Sequence, residues 1–236
     1  KRLLAVLPER ARDVVIARYG LGKNSQKMTL EAIGSQYGIT RERVRQIESS
    51  ALASIQKSEA FEEAQAVFDE LSDGIDSLGG VVREEELLES ISKDKSAQNH
   101  AHFLLVLGNP FKQKKEDASF HRRWYVREEH AEMVHTALKN LYKSLSDDDL
   151  IPESELVTMF LDELKNANKE YTNEEVAKRW LTLSKEIGKN PLGEWGVAHS
   201  PNVRAKGMRD YAYLAIKRHG SPMHFSEVAK SISDLF

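Results

Sequence analysis

Between Ile39 and Ser49 the chain reads ITRERVRQIES, three arginines and two glutamates in eleven residues. A guanidinium can grip a phosphate or, with two parallel hydrogen bonds, the O6/N7 edge of guanine. A carboxylate accepts from the cytosine amino group and a glutamine amide pairs with adenine. Arg41, Glu42, Arg45 and Gln46 therefore offer a mixed code for base edges rather than bare charge. The competing reading is a solvated helix surface, and two local rules count against it. Arg41 would stand in the first turn of a helix, where the dipole disfavours a cation by roughly 0.3–1 kcal/mol. Arg41 and Arg45 would also form a like-charge i,i+4 pair, which costs roughly 0.2–0.5 kcal/mol more. Such breaches are expected where a surface is made to meet a partner.

The surrounding residues supply the elements that would position this face. Pro8 followed by ERARDVVIARYGL fits a helix opened by proline and closed at Gly20, with Val14, Val15, Ile16, Tyr19 and Leu21 as its apolar contacts. After the polar loop GKNSQK, Thr29 is placed to cap a short helix, LEAIGSQY, with Leu30, Ile33 and Tyr37 at helical spacing, and Gly38 ends it. Thr40 then caps a third helix running to about Lys57, with Val44, Ile47, Ala51 and Ile55 on one stripe. Two helices joined by a tight glycine-containing turn make a helix-turn-helix. Arg41, Glu42, Arg45, Gln46 and Ser49 lie opposite the stripe, on the N-terminal half of the third helix, the part of a recognition helix that enters the major groove.

The stretch TLEAIGSQYGITRERVRQIESSAL, preceded by RARDVVIARYGL, closely resembles the promoter-binding region 4 of sigma-70 family factors, over about residues 3–57. The resemblance implies that Arg41, Glu42, Arg45 and Gln46 face the bases of a minus-35 element, while Arg10, Arg18, Thr29 and Arg43 hold phosphates. It also implies docking on the beta-subunit flap of RNA polymerase. Family members commonly continue with lysine and further basic residues where this chain has Ser49-Ser50-Ala51-Leu52-Ala53-Ser54-Ile55-Gln56, which implies fewer phosphate contacts and a shallower salt dependence. No segment resembles the core-binding or promoter-melting regions.

Charge is distributed in keeping with a polyanion partner for the head alone. Residues 1–57 hold eleven lysines and arginines against five acids, a balance of +6, which leaves −9 on the remainder of a chain whose net charge is −3. With 236 residues, 40% of them hydrophobic, one to three domains are expected. Cysteine is absent, so disulfides, thiolate metal sites and a cysteine nucleophile are excluded, which suits a reducing cytoplasm, and the sigma-70 resemblance implies a bacterial cytoplasm and association with the nucleoid. No apolar run approaches the roughly 18 residues of a membrane span, and the opening KRLLAVLPER does not read as a signal peptide. The start at Lys1 and the end at Phe236 suggest a piece of something longer.

The acidic remainder repeats. GVVREEELLESI (80–91), DLIPESELVTMF (149–160) and SPMHFSEVAKSI (221–232) share an apolar start and then Glu86, Glu155 and Glu227, which are 69 and 72 residues apart. RRWYV and GEWGV place Trp124 and Trp195 71 residues apart. A period of about 70 residues is domain-sized. Each copy reads as a leading helix (61–78, 132–145, 208–219), a short strand-like pair and the Glu-Leu helix. A further helix (around 100–107 and 174–187) and a closing aromatic strand complete the first two copies. That order describes a winged helix, and GMRDYAYLAIKRHGSPMHFSEVAKSI resembles the HARE-HTH winged-helix family, while the first two copies match it through pattern alone. The expected fold is mostly α: a helix-turn-helix domain (1–58) followed by tandem winged-helix domains with small β-hairpin wings (59–128, 129–204, and the start of a third at 205–236). In the first wing, Lys112, Lys114, Lys115, Arg122 and Arg123 are candidate contacts to a phosphate backbone. Trp124 and Trp195 read as core anchors.

Other chemistry is poorly served. His100 and His102, two apart on a helix, point to different faces, so no metal is expected. No phosphate-binding glycine loop precedes a helix, and Asp147-Asp148-Asp149 reads as a turn. No nucleophile stands with its base. The expectation is a cofactor-free DNA-binding regulator that acts on double-stranded promoter DNA with RNA polymerase, not an enzyme. The alternative is a polymerase- or protein-docking module without sequence-specific DNA binding.

Overall fold

The computed structural model describes residues 2–164 and 173–234, which are mostly helical with two small sheets. The chain divides into two compact units, one of residues up to Lys114 together with Trp124–Val126, the other of Lys115–Arg123 and the residues from Arg127 onward.

The first unit opens with a short α1 (Arg2–Ala5), then α2 (Glu9–Tyr19), α3 (Leu30–Tyr37) and α4 (Arg41–Gln56). These form where local signals place them: Pro8 precedes α2, Gly20 closes it in the left-handed conformation, and Thr29 and Thr40 cap α3 and α4 by accepting from Ala32 N and Arg43 N, each at 3.1 Å. There follow α5 (Glu59–Glu62), α6 (Gln65–Ser77), β1 (Val81–Arg83), α7 (Glu84–Ile91), α8 (Lys95–Leu107), β2 (Lys112–Lys114) and β3 (Arg123–Tyr125), with the strands in the order β1-β3-β2. The leading helix expected over 61–78 is thus broken at residues 63–64. The helix expected around 100–107 starts earlier, at Lys95, because Asp94 accepts from Ala97 N at 2.7 Å and caps it.

One large hydrophobic cluster joins α2 and α4 to the elements that follow them. Val15, Tyr19, Ala51 and Ile55 from α2 and α4 pack in the same cluster as Phe68, Leu87, Phe103, Leu105 and Trp124. Each large apolar side chain among them, once buried, contributes about 1.5–3 kcal/mol and the alanine less, so α2 and α4 draw stability from residues far along the chain.

The second unit contains α9 (Glu128–Ser144), α10 (Glu153–Glu163), α11 (Glu174–Leu181), β4 (Ile187–Lys189), β5 (Trp195–Val197), α12 (Met208–His219) and α13 (Phe225–Ser233). Strands β4 and β5 pair antiparallel, Gly188 opposite Gly196, and Ile151 bridges to Trp195. Helix α11 stops at Leu181 rather than near Ile187, because Ser184 leaves the helix to bridge Phe120 and Ile187 enters the hairpin. Trp180, fully buried, meets Phe160 edge-on at 6.3 Å between ring centres.

The repeat detected in the sequence has a physical counterpart. Helix, strand or bridge, helix, helix and hairpin recur in the same order in α6–β3 and in α9–β5. In each, the indole of the closing strand donates to the first residue of the helix that follows the short strand: Trp124 Nε1 to Glu84 Oε2 at 2.8 Å, and Trp195 Nε1 to Glu153 Oε2 at 3.2 Å. Both tryptophans are buried and tie sheet to helix. In the third copy Glu227 accepts from His224 N at 3.1 Å and completes a capping box on α13.

Candidate nucleic-acid interface

The α3–α4 turn is set by two close approaches of backbone to backbone. Ile39 N donates to Gly34 O at 2.9 Å, and a Cβ on Gly34 would lie 2.6 Å from Ile39 O, so only glycine lets the two helices cross here. Beneath the turn Val14, Ile33 and Val44 are fully buried, ringed by Ala17, Met28, Leu30, Tyr37, Ile39 and Ile47. The stripe of α4 is thereby turned inward. Its other face is left to solvent: Arg41, Glu42, Arg43, Arg45, Gln46 and Ser49 are all exposed. The structure brings the four base-reading candidates onto one surface, on the first two turns of α4.

That surface carries its own hydrogen bonds. Arg45 grips Glu42 with two of them, Nε to Oε2 at 2.9 Å and Nη2 to Oε1 at 2.7 Å, and Arg43 Nη1 donates to Gln46 Oε1 at 3.1 Å. The Arg45 hydrogen bond holds the Glu42 carboxyl below the usual carboxylate range, so it is ionised at neutral pH. Arg10, exposed, stands 6.0 Å over the ring of Tyr37.

Two of the phosphate candidates already have internal work. Arg18 is half-buried, its Nη1 donating to Met28 O at 3.1 Å and its Nε 3.5 Å from Glu48 Oε1. The Thr29 hydroxyl caps α3. Glu48 also accepts from the Tyr19 hydroxyl at 2.9 Å, and burial, then the charge of Glu48, push that phenol well above its usual range, so it remains a donor.

The first-wing residues part company. Lys112, Lys115 and Arg122 are exposed, and Lys114 stands 5.8 Å over the Tyr125 ring. Arg123 is buried: its guanidinium donates to His135 Nε2 at 2.7 Å, His121 O at 3.0 Å and Asp117 Oδ2 at 3.1 Å, and packs over Phe120. It is an internal clamp of the second unit and is not presented to a backbone phosphate.

Sequence reasoning did not anticipate Asn99. Its side chain is 1% exposed, and its amide donates to Gly20 O at 3.1 Å and Ser25 O at 2.8 Å, holding the loop that leads from α2 into α3. Tyr19 packs edge-on against Phe103 at 5.2 Å, and Gln56 Nε2 donates to Leu107 O at 2.9 Å. Helix α8 therefore braces the helix-turn-helix from behind. Little in the sequence signalled this, since Asn99 stands among Gln98, His100 and His102 with nothing nearby to name its partner.

An apolar-backed, capped helix pair with an exposed face of arginine, glutamate and glutamine has the geometry of a helix-turn-helix. The family profile described as "Sigma-70, region 4" matches residues 3–57, so the N-terminal segment of the chain is similar to that region. Over 52 residues it is 60% identical to RNA polymerase sigma factor RpoS of Coxiella burnetii, covering 22% of this chain and 14% of that protein. It is also 52% identical over 50 residues to RNA polymerase sigma factor SigA1 of Synechococcus elongatus, covering 21% and 12%. RNA polymerase sigma factor SigA of a Nostoc species is 50% identical over 52 residues, covering 22% and 13%. The chain thus spans only a small fraction of these relatives' lengths. No solved structure matches the chain. Among the described residues no helix is long and apolar enough to cross a membrane, and no cluster of three metal-ligating side chains occurs.

Proposed function

We propose that this protein is a bacterial DNA-binding transcription regulator which reads a minus-35-like element with Arg41, Glu42, Arg45 and Gln46 and cooperates with RNA polymerase through the beta-subunit flap. It acts by binding, not catalysis, in the cytoplasm, and its two following repeats, with the start of a third, are winged helices of the HARE-HTH kind. The carrying observation is the exposed polar face on the first two turns of α4, set on a glycine-gated turn and a fully buried base. Arg10, Arg43, Lys112, Lys115 and Arg122 are exposed, which supports their proposed contacts to phosphates.

Removing one bidentate guanidinium contact costs about 1–3 kcal/mol on the preferred site and little on a scrambled one. Arg45→Ala is expected to lower affinity for a minus-35-like duplex by that amount in fluorescence anisotropy at fixed salt, and to relax specificity. Equal binding of wild type and variant would end the assignment of base readout to α4.

A second reading, a docking module for polymerase or another protein, draws on the internal engagement of Arg18, which leaves one phosphate ligand fewer. Capture of the isolated beta flap, with no DNA binding at low salt, would favour it.

A further inference from the structure

Helices α6, α7 and α8 border an open groove of about 670 Å³ that the helix-turn-helix does not use. It is lined by Leu71, Leu87 and Leu104, and Val67 and Ile91 stand at its edge, each 42% exposed. Large aliphatic side chains held that far into water lose burial energy unless something covers them.

Gly74 lines the same groove in the interior of α6. A Cβ there would meet nothing within 4 Å. Glycine in a helix interior destabilises by roughly 0.5–1 kcal/mol relative to alanine. Among the described residues nothing fills the space, so alanine would fit. The missing Cβ leaves room for another backbone to come close to α6.

Charge identifies that backbone's flanks. On α6 the carboxylates Asp69, Glu70 and Asp73 are exposed, whereas on α7 Glu85 and Glu89 pair with Arg83 and Lys93 and Glu84 accepts from the Trp124 indole. Glu70 lines the groove itself and Asp73 stands beside Gly74. An apolar trough between helices takes side chains at i, i+3, i+4 and i+7 spacing, and an acidic rim rewards cations beside them.

We propose that the groove docks an amphipathic helix of a partner protein, aliphatic on one face and lysine- or arginine-rich on its flanks, packed against α6 at Gly74. This surface is independent of the DNA-reading face, and either can fail without the other.

The test uses the full chain and a fluorescent designed peptide of about 15 residues, long enough to form a helix on binding, with leucine at helical spacing and lysine elsewhere. Two control peptides have the leucines permuted or the lysines replaced by glutamate. The amphipathic basic peptide should bind at least about tenfold more tightly than either control. Gly74→Ala should raise the melting temperature yet weaken the peptide several-fold, and Gly74→Leu and the exposed-site variant Ile91→Arg should weaken it about tenfold or more. Anisotropy on promoter-like DNA should not change in any of them. Peptide affinity indifferent to Gly74→Leu and Ile91→Arg would overturn the proposal. So would self-association of the chain that those variants abolish, which makes a second copy the occupant, or a small apolar dye that fills the groove and is not displaced by peptide.

Discussion

Replacing Asn99 with alanine deletes two hydrogen bonds without touching the exposed face of α4. The amide is buried and donates to Gly20 O at 3.1 Å and Ser25 O at 2.8 Å. Each such bond contributes about 0.5–1.5 kcal/mol net, and a carbonyl left buried without a donor costs about 1–3 kcal/mol. The substitution should therefore destabilise the first unit by about 2–3 kcal/mol. With a urea slope of about 2 kcal/mol/M, that moves the unfolding midpoint by roughly 1–1.5 M. Amide hydrogen exchange followed by mass spectrometry should show the added opening in the loop of residues 20–28. Asn99→Asp should be worse, since it aims a carboxylate at two carbonyl oxygens. Gly20 supplies an internal control. A Cβ there would lie 2.6 Å from Asn99 Nδ2, and its φ is +66°, so Gly20→Ala is strained twice over in the wild type and loses one of those clashes in the Asn99→Ala background. The double variant should be more stable than the sum of the single losses predicts. An unmoved midpoint, unchanged exchange over the loop, or strictly additive losses would refute the bracing of the helix-turn-helix by α8.

Gly34→Ala should destabilise the first unit by about 1–3 kcal/mol, because its Cβ would lie 2.6 Å from Ile39 O and the α3–α4 turn would have to open; a thermal melt checks it. In the second unit the Lys189 hydrogen bond, with that of Trp195, holds the Glu153 carboxyl below its ordinary value of 4.5. A carboxyl depressed in the folded state stabilises it above the unfolded value and loses that contribution as pH falls from about 4.5 through the folded value. Glu153→Gln should accordingly lower the melting temperature at neutral pH and narrow its difference from wild type as the pH is taken down to 3.

The head was legible because its determinants are local. Pro8, Gly20, Thr29, Gly38 and Thr40 mark helix ends within a few residues of the bonds they make, and the Val44–Ile55 stripe shows which side of α4 turns inward. At the spacing of the sequence repeat, two indole–carboxylate bonds occur at matching positions. What stayed hidden depends on contacts distant in sequence. Asn99 reaches residues 79 and 74 positions away. Arg123 looked like one more cation of a basic hairpin, but its neighbours His135 and Asp117 converge on it only after folding. Arg18 and Thr29 were read for their outward chemistry, while Met28 O and Ala32 N claim them at short range.

The Glu42–Arg45 pair gives the exposed face of α4 a resting state, in which guanidinium and carboxylate satisfy each other in water. In the base readout proposed for α4, a guanine or cytosine edge would have to replace that partnership, so a matched step would exchange one set of hydrogen bonds for another of similar strength. A mismatched step would break the pair and leave both charges poorly answered. Discrimination would then arise less from how tightly the right sequence is held than from how readily the wrong one is released.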